Sequence, residues 1–188
     1  MDKTAYSIDR MIASVTNERS LDSALASGVR RINLVSGGID RLQTIVRRVR
    51  ETDKRLFVHI EMVEGIGRDA AFIRYMAETF RPDGIITTKS GIVQAAKQAG
   101  LIAVQRVFAI DTVALDTALR TVAASRPDEV ELMPGLLPRI VRHVKDRIDS
   151  PLIVGGLIRR REEAQEAFAM GADYVSVSDE SLWHPSIE

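Results

Sequence analysis

Cysteine is missing from all 188 positions, which removes disulfides, thiolate nucleophiles and cysteine-ligated metals together. A reducing cytoplasm is the compartment that this usage suits. Histidine is scarce, with three copies, and no group of residues has zinc-ligand spacing, so no metal site is expected. Aromatic residues reach only 5%, few for a surface that stacks on unpaired bases. Charge of one sign is lacking too: 26 basic side chains meet 26 acidic ones. Bulk attraction to nucleic acid or anionic lipid is therefore not expected, and a polyanion would need a local patch. No apolar run approaches the length that crosses a bilayer, and the N-terminus lacks the basic-then-apolar layout of a secretory signal, so no membrane association is expected.

What is present is an alternation. The length suits one well-filled core, so residues 1–188 are read as one domain. Apolar residues at 45% against 28% charged ones leave no case for disorder. Short β-rich runs fall near 11–15, 31–35, 56–61, 84–88, 102–106, 129–133, 152–154 and 174–178. Between them lie helical stripes such as Ile39, Leu42, Ile45, Val46 and Val49, or Phe72, Ile73, Met76, Ala77 and Phe80. Asp83, Asp128 and Asp173 open strands at intervals of 45 residues, the length of two βα units. Eight parallel strands on a right-handed path either close or open into a doubly wound sheet, and units this uniform favour closure. The expected fold is a compact (β/α)8 TIM-like barrel whose last helix is truncated to "DESLW".

Alternation along the strands assigns the inward side chains. In "LFVHIEM" Val58, Ile60 and Met62 are read outward, leaving Phe57, His59 and Glu61 inward. In "IAVQR" Ile102 and Val104 are read outward and Gln105 inward; Glu131, Ser176 and Ser178 are read inward from their own strands. Thr87, Thr88 and Lys89 complete a polar ring at the C-terminal ends, where barrels of this class build their sites. Two carboxylates and a lysine converging there are costly unless they serve a ligand.

Strand seven ends on Gly155 and Gly156. Barrels often hold a phosphate between the loops after strands seven and eight, where glycines let main-chain N–H groups approach an anion. A tight turn before the next helix would be satisfied by one glycine more easily than it explains two, so the anion reading is preferred. Lys89, Arg106 and Arg159 could complete neutralisation. An enzyme acting on a phosphorylated triose or polyol would use His59 or Glu61 as base and Lys89 as electrophile. A carboxylate beside Lys89 would raise its pKa and work against Schiff-base chemistry. The alternatives are a binding barrel without catalysis, acting on RNA or through a protein partner.

Six segments in order, "VHIEMVEGI", "GIITTKS", "QRVFAIDT", "ELMPG", "GGLIR" and "LW", make the chain resemble the glycerol-3-phosphate-responsive antiterminators from about Met11 to Trp183. The resemblance implies a small TIM-like barrel, not an enzyme, that binds glycerol 3-phosphate and an mRNA leader and so regulates glycerol-utilisation genes. It implies no cofactor, and leaves a bridging divalent cation and homodimerisation open. By position it places Glu61, Gln105, Arg106, Glu131, Gly155, Gly156 and Arg159 in the ligand site. The chain departs from the family pattern at Glu61, Lys89 and Asp179, where aspartate, arginine and asparagine are frequent. An acidic Asp179 beside a phosphate is tolerable if it caps the stub helix. Two basic clusters are candidates for RNA: Arg41, Arg47, Arg48, Arg50, Lys54 and Arg55, better read as a solvated helix face, and Arg159, Arg160 and Arg161 beside the glycines.

Overall fold

Each β-rich run becomes a strand and each stripe a helix in a computed structural model, which describes residues 6–185. A 3-10 turn, Ile8–Arg10, leads into β1 (Met11–Val15), α1 (Glu18–Ala26), β2 (Arg31–Leu34), α2 (Ile39–Arg50), β3 (Arg55–His59) and α3 (Ala70–Thr79). Then follow β4 (Gly84–Thr87), α4 (Ser90–Gln98), β5 (Ile102–Phe108), α5 (Thr112–Ser125), β6 (Glu129–Met133) and α6 (Pro138–Lys145). The chain ends with β7 (Leu152–Gly155), α7 (Arg161–Ala169), β8 (Tyr174–Val177) and a second 3-10 turn, Glu180–Trp183. Several helices start where the side chains dictate. Asn17, Asp69 and Asp111 accept hydrogen bonds from Ser20, Phe72 and Ala114 N–H, satisfying first-turn donors that have no partner inside the helix. Pro138 opens α6, where its missing N–H costs nothing.

The strands are parallel and pair in chain order, and β8 returns to β1 to close the barrel. The last helix is truncated, as its sequence implied, to the short 3-10 turn Glu180–Trp183. Its Trp183 is fully buried, donates Nε1–H to the Val177 carbonyl at 3.1 Å, and accepts from Gly28 N–H. One large indole thus fills the space against α1 and β1 that a helix would otherwise cover.

The 45-residue period has a mechanical meaning. Asp83, Asp128 and Asp173 each sit just before an even-numbered strand, and their carboxylates accept the N–H of Leu56, Ala103 and Leu152, near the starts of the preceding odd strands. Lys97 and Lys145 pair with the second and third of these carboxylates. The repeat clasps neighbouring strands at the N-terminal face, away from the mouth.

Inside the barrel, Ile12, Phe57, Ile86, Val104 and Ile153 form an apolar plug separate from the larger core under the helices. Below it Arg31 pairs with Glu129 and lies 3.4 Å from the Phe57 ring centre. This plug corrects the reading of β5. Val104 faces the axis and Gln105 faces the helices, buried and bonded to Ser125 of α5. A strand buried on both faces has no polar side to reveal its parity, so apolarity pointed Val104 the wrong way. β3 also stops at His59, which leaves Glu61 and Met62 in the following turn; Met62 is exposed at the mouth and does not pack under a helix.

Candidate functional site

At the C-terminal mouth the interior becomes polar. Arg106 from β5 and Glu131 from β6 are both buried, and Nε–H of the arginine donates to Oε2 of the carboxylate at 2.8 Å. Ser176 Oγ–H, arriving from β8, donates to the other carboxylate oxygen at 2.7 Å. Both oxygens of Glu131 therefore have donors, which offsets the cost of burying the group at 0% exposure. The same bonds hold the guanidinium in place. Arg106 Nη1 lies 3.6 Å from Met62 Sδ, so its outer edge points to the rim.

Above this pair is a cavity of about 270 Å³. Arg106 and Ser176 line it with Ser14 and Ser178, and Gly156, Leu157 and Ile158 form its side at the β7–α7 loop. Gly156 and Leu157 both have positive φ, +79° and +65°. Leucine in that region costs roughly 1 kcal/mol, and strain of this kind gathers at ligand clamps. Among the described residues no acceptor takes the N–H of Gly156, Leu157, Ile158 or Ser178. Unpaired amides, hydroxyls and a buried, oriented guanidinium, on residues gathered at one small cavity, are groups that can hydrogen-bond to a compact oxyanion and its hydroxyl groups.

The glycine pair proves to have two separate causes. Gly155 faces inward, and a Cβ there would stand 2.2 Å from Ser176 Oγ. Gly156 meets no such crowding; it supplies the left-handed turn that begins the loop. The 3-10 turn is not an open anion site, because Asp179 caps it, accepting from Ser181 N–H at 3.1 Å.

The predicted residues thus divide. Arg106, Gly156, Ser176 and Ser178 line the cavity, and Glu131 and Gly155 lie directly beneath it. Gln105 belongs to the barrel–α5 layer. Glu61 is held elsewhere, accepting from Thr87 Oγ1 at 2.5 Å and from Thr88 N–H, with His59 Nδ1 3.5 Å away. Lys89 is exposed at the start of α4, and Arg159 is exposed beyond the rim with its N–H bound to Glu163. Arg160 pairs with Glu163, and Arg161 turns away, donating to the His184 carbonyl with its guanidinium over Tyr6. The two basic clusters are therefore largely committed: in the first, Arg41 and Arg48 pair with Glu18 and Asp22 of α1. His59 is buried with no hydrogen-bond partner on either ring nitrogen, and burial, reinforced by Arg106, lowers its pKa to about 4. It is neutral at physiological pH.

Sequence reasoning missed Ser14, Leu157 and Ile158 at the cavity, and Arg31, Asn33 and Glu129 inside the barrel. Polar residues two apart, Arg31 with Asn33 and Glu129 with Glu131, carried the parity signal that would have found the interior set.

Fold and site together define a small (β/α)8 barrel with a polar cavity at its mouth. The chain belongs to the glycerol-3-phosphate responsive antiterminator family, whose model matches residues 11–183. It is 31% identical over 173 residues to the uncharacterized protein YgcP of Escherichia coli K12, covering 92% of this chain and 91% of that one. Among solved structures it resembles the glycerol uptake operon antiterminator regulatory protein of Listeria monocytogenes, with TM-score 0.90 and 28% identity over 95% of this chain and 96% of that one. It also resembles a glycerol uptake operon antiterminator-related protein of Thermotoga maritima, with TM-score 0.81 and 27% identity over 92% and 96%.

Proposed function

We propose that the mouth binds glycerol 3-phosphate and that the occupied protein binds an mRNA leader in the cytoplasm, preventing premature termination of glycerol-utilisation transcripts. One observation supports the ligand: Gly156, Leu157 and Ile158, whose amides have no acceptor among the described residues, line the same cavity as the buried Arg106. The phosphate would lie against the amides and Arg106, with the alcohol groups toward Ser14, Ser176 and Ser178. Family membership supplies the antiterminator role.

Catalysis is not part of this reading. Among the described residues Lys54, Lys97 and Lys145 are engaged with main-chain carbonyls or aspartates at the opposite end of the barrel, and Lys89 is exposed. None offers the dry amine that Schiff-base chemistry on a phosphorylated triose needs. His59 and Glu61 do not line the cavity.

Calorimetric titration with glycerol 3-phosphate, glycerol and inorganic phosphate, with and without chelator, tests the ligand. Arg106→Gln alone would leave Glu131 buried and unpaired, so the Arg106→Gln, Glu131→Gln double variant is the fair probe. We expect saturable, chelator-insensitive binding of glycerol 3-phosphate without product, weakened at least about tenfold in the double variant. Wild-type affinity in that variant, or turnover, would overturn the assignment.

A further inference from the structure

Most helices of the barrel turn a charged face to water. Within α2 there are five charged side chains over 12 residues, and within α7 four over nine. The longest helix, α5, carries only Asp116 and Arg120 over 14, and its neighbour α4 only Lys97 over nine. Lys97 is itself paired with Asp128. A face with so few charges gives up its water at little cost, and charge depletion is what marks the core of a protein interface.

The outward side of α5 presents Val113, Asp116, Thr117, Arg120, Ala123 and Ala124, all exposed. Ile110 and Val113 are the two most exposed large apolar side chains among the described residues, at 79% and 75%, and Phe108 just before them is 44% exposed. Bulk therefore stands at the N-terminal end of the face and alanine at the C-terminal end. Along its α4 side runs a shallow groove of about 510 Å³, where Ala114, Thr117, Ala118 and Thr121 leave room for the ridge of a second helix. Charge follows the same order: Asp111 caps the N-terminus and Asp116 follows, then come Arg120 and, at the C-cap, Arg126. Arg120 donates to Thr117 Oγ1, and among the described residues none of these four groups has an ionic partner. On the α6 side Arg139 shares a groove with Asp111 and Asp116, so the face has no strong charge of one sign.

We infer that α5 is the interface of a homodimer, in which two copies lay their α5 helices antiparallel about a two-fold axis near Ala118. In that register Asp116 meets the partner's Arg120 on both sides of the axis, and Val113 packs on the partner's Ala123. Positions 116 and 120 lie equally far from 118 on either side, as do 113 and 123, so one axis satisfies both pairs. The caps follow nearly the same rule, which brings Asp111 beside the partner's Arg126. A two-fold contact demands such self-complementarity, because each patch must fit its own copy. An unrelated protein has no reason to match acid, base, bulk and alanine in both directions at once, and a polyanion meets no net positive field here. The contact depends on neither the ligand nor RNA.

Sedimentation equilibrium of the full chain tests this, and wild type should be a dimer at about 100 μM. Asp116→Arg sets arginine against the partner's Arg120, and Arg120→Asp sets aspartate against the partner's Asp116, so each single variant should weaken the dimer at least about tenfold. The double variant Asp116→Arg, Arg120→Asp puts opposite charges together again and should recover to within about threefold of wild type. An equimolar mixture of the two single variants should form a heterodimer tighter than either variant with itself. Both positions are exposed, so an unchanged circular dichroism spectrum is expected and reports correct folding. Wild type that stays monomeric at about 100 μM overturns the interface and leaves the face to another protein or a nucleic acid. A wild-type dimer that both single variants leave intact places the contact elsewhere and overturns it too. Single variants that weaken the dimer, with no recovery in the double variant or the mixture, overturn the antiparallel register.

Discussion

Gly155 and Ser176 compete for one small volume beneath the cavity. The hydroxyl of Ser176 occupies it, donating to Glu131, and a methyl at 155 would overlap that oxygen at 2.2 Å. Gly155→Ala should therefore lower stability by about 1–3 kcal/mol, as overpacking does in a dense core. Ser176→Ala alone removes one donor from a buried carboxylate, at a cost of roughly 1–3 kcal/mol. Because removal of the hydroxyl makes room for the added methyl, the double variant should be more stable than the sum of the single losses. Urea midpoints of the four proteins complete the cycle; strict additivity would show that the two positions do not share space. At this scale part of the site could be read in advance and part could not. Glu131 and Ser176 lie in strands whose polar and apolar residues alternate, so their direction was visible. Gln105 lies in a strand apolar on both faces, and its direction was set by the plug of Val104 and its neighbours across the barrel.

Among the elements, one of the short ones holds the largest buried side chain. The Glu180–Trp183 turn stands in for a whole helix, and Trp183 is the largest fully buried side chain among the described residues. Trp183→Ala should cost about 3–5 kcal/mol and lower the thermal midpoint, while Trp183→Phe should recover most of the loss apart from the indole bond to Val177. Melting curves of the two variants check this. A small effect of the alanine change would mean that α1 and α7 close over the gap. The truncation was legible as a stretch too short to continue the βα repeat, but the role of the tryptophan was not, since filling a gap depends on the elements around it. The β7–α7 loop shows the same division. Its glycine pair marked a bend, whereas the left-handed Leu157 and its unpaired amides follow from where β7 and α7 are anchored.

Across the whole molecule the interior is a polar column interrupted by an apolar plug, and acid should reveal it. His59 is neutral when folded, with a pKa of about 4, and has its ordinary value near 6.5 when unfolded. Between those values the unfolded chain binds the extra proton, so stability is lost as pH falls from about 6.5 toward 4, by up to roughly 3 kcal/mol. His59→Gln removes that titration. Urea midpoints followed from pH 7 to pH 4.5 should fall more steeply for wild type than for the variant, and parallel curves would contradict a buried neutral imidazole.

Periodicity, turn residues and the 45-residue aspartate repeat by themselves determined the count of strands and helices and their order, and favoured closure of the parallel sheet. These are consequences of local pattern and of the handedness of βα connections. Tertiary structure alone decided which of two opposite side chains faces the axis in doubly buried strands, which arginines are consumed by carboxylates, and which backbone amides remain without partners. Those outcomes depend on groups that meet across the barrel from strands far apart in the chain, and neighbouring residues carry no record of that meeting.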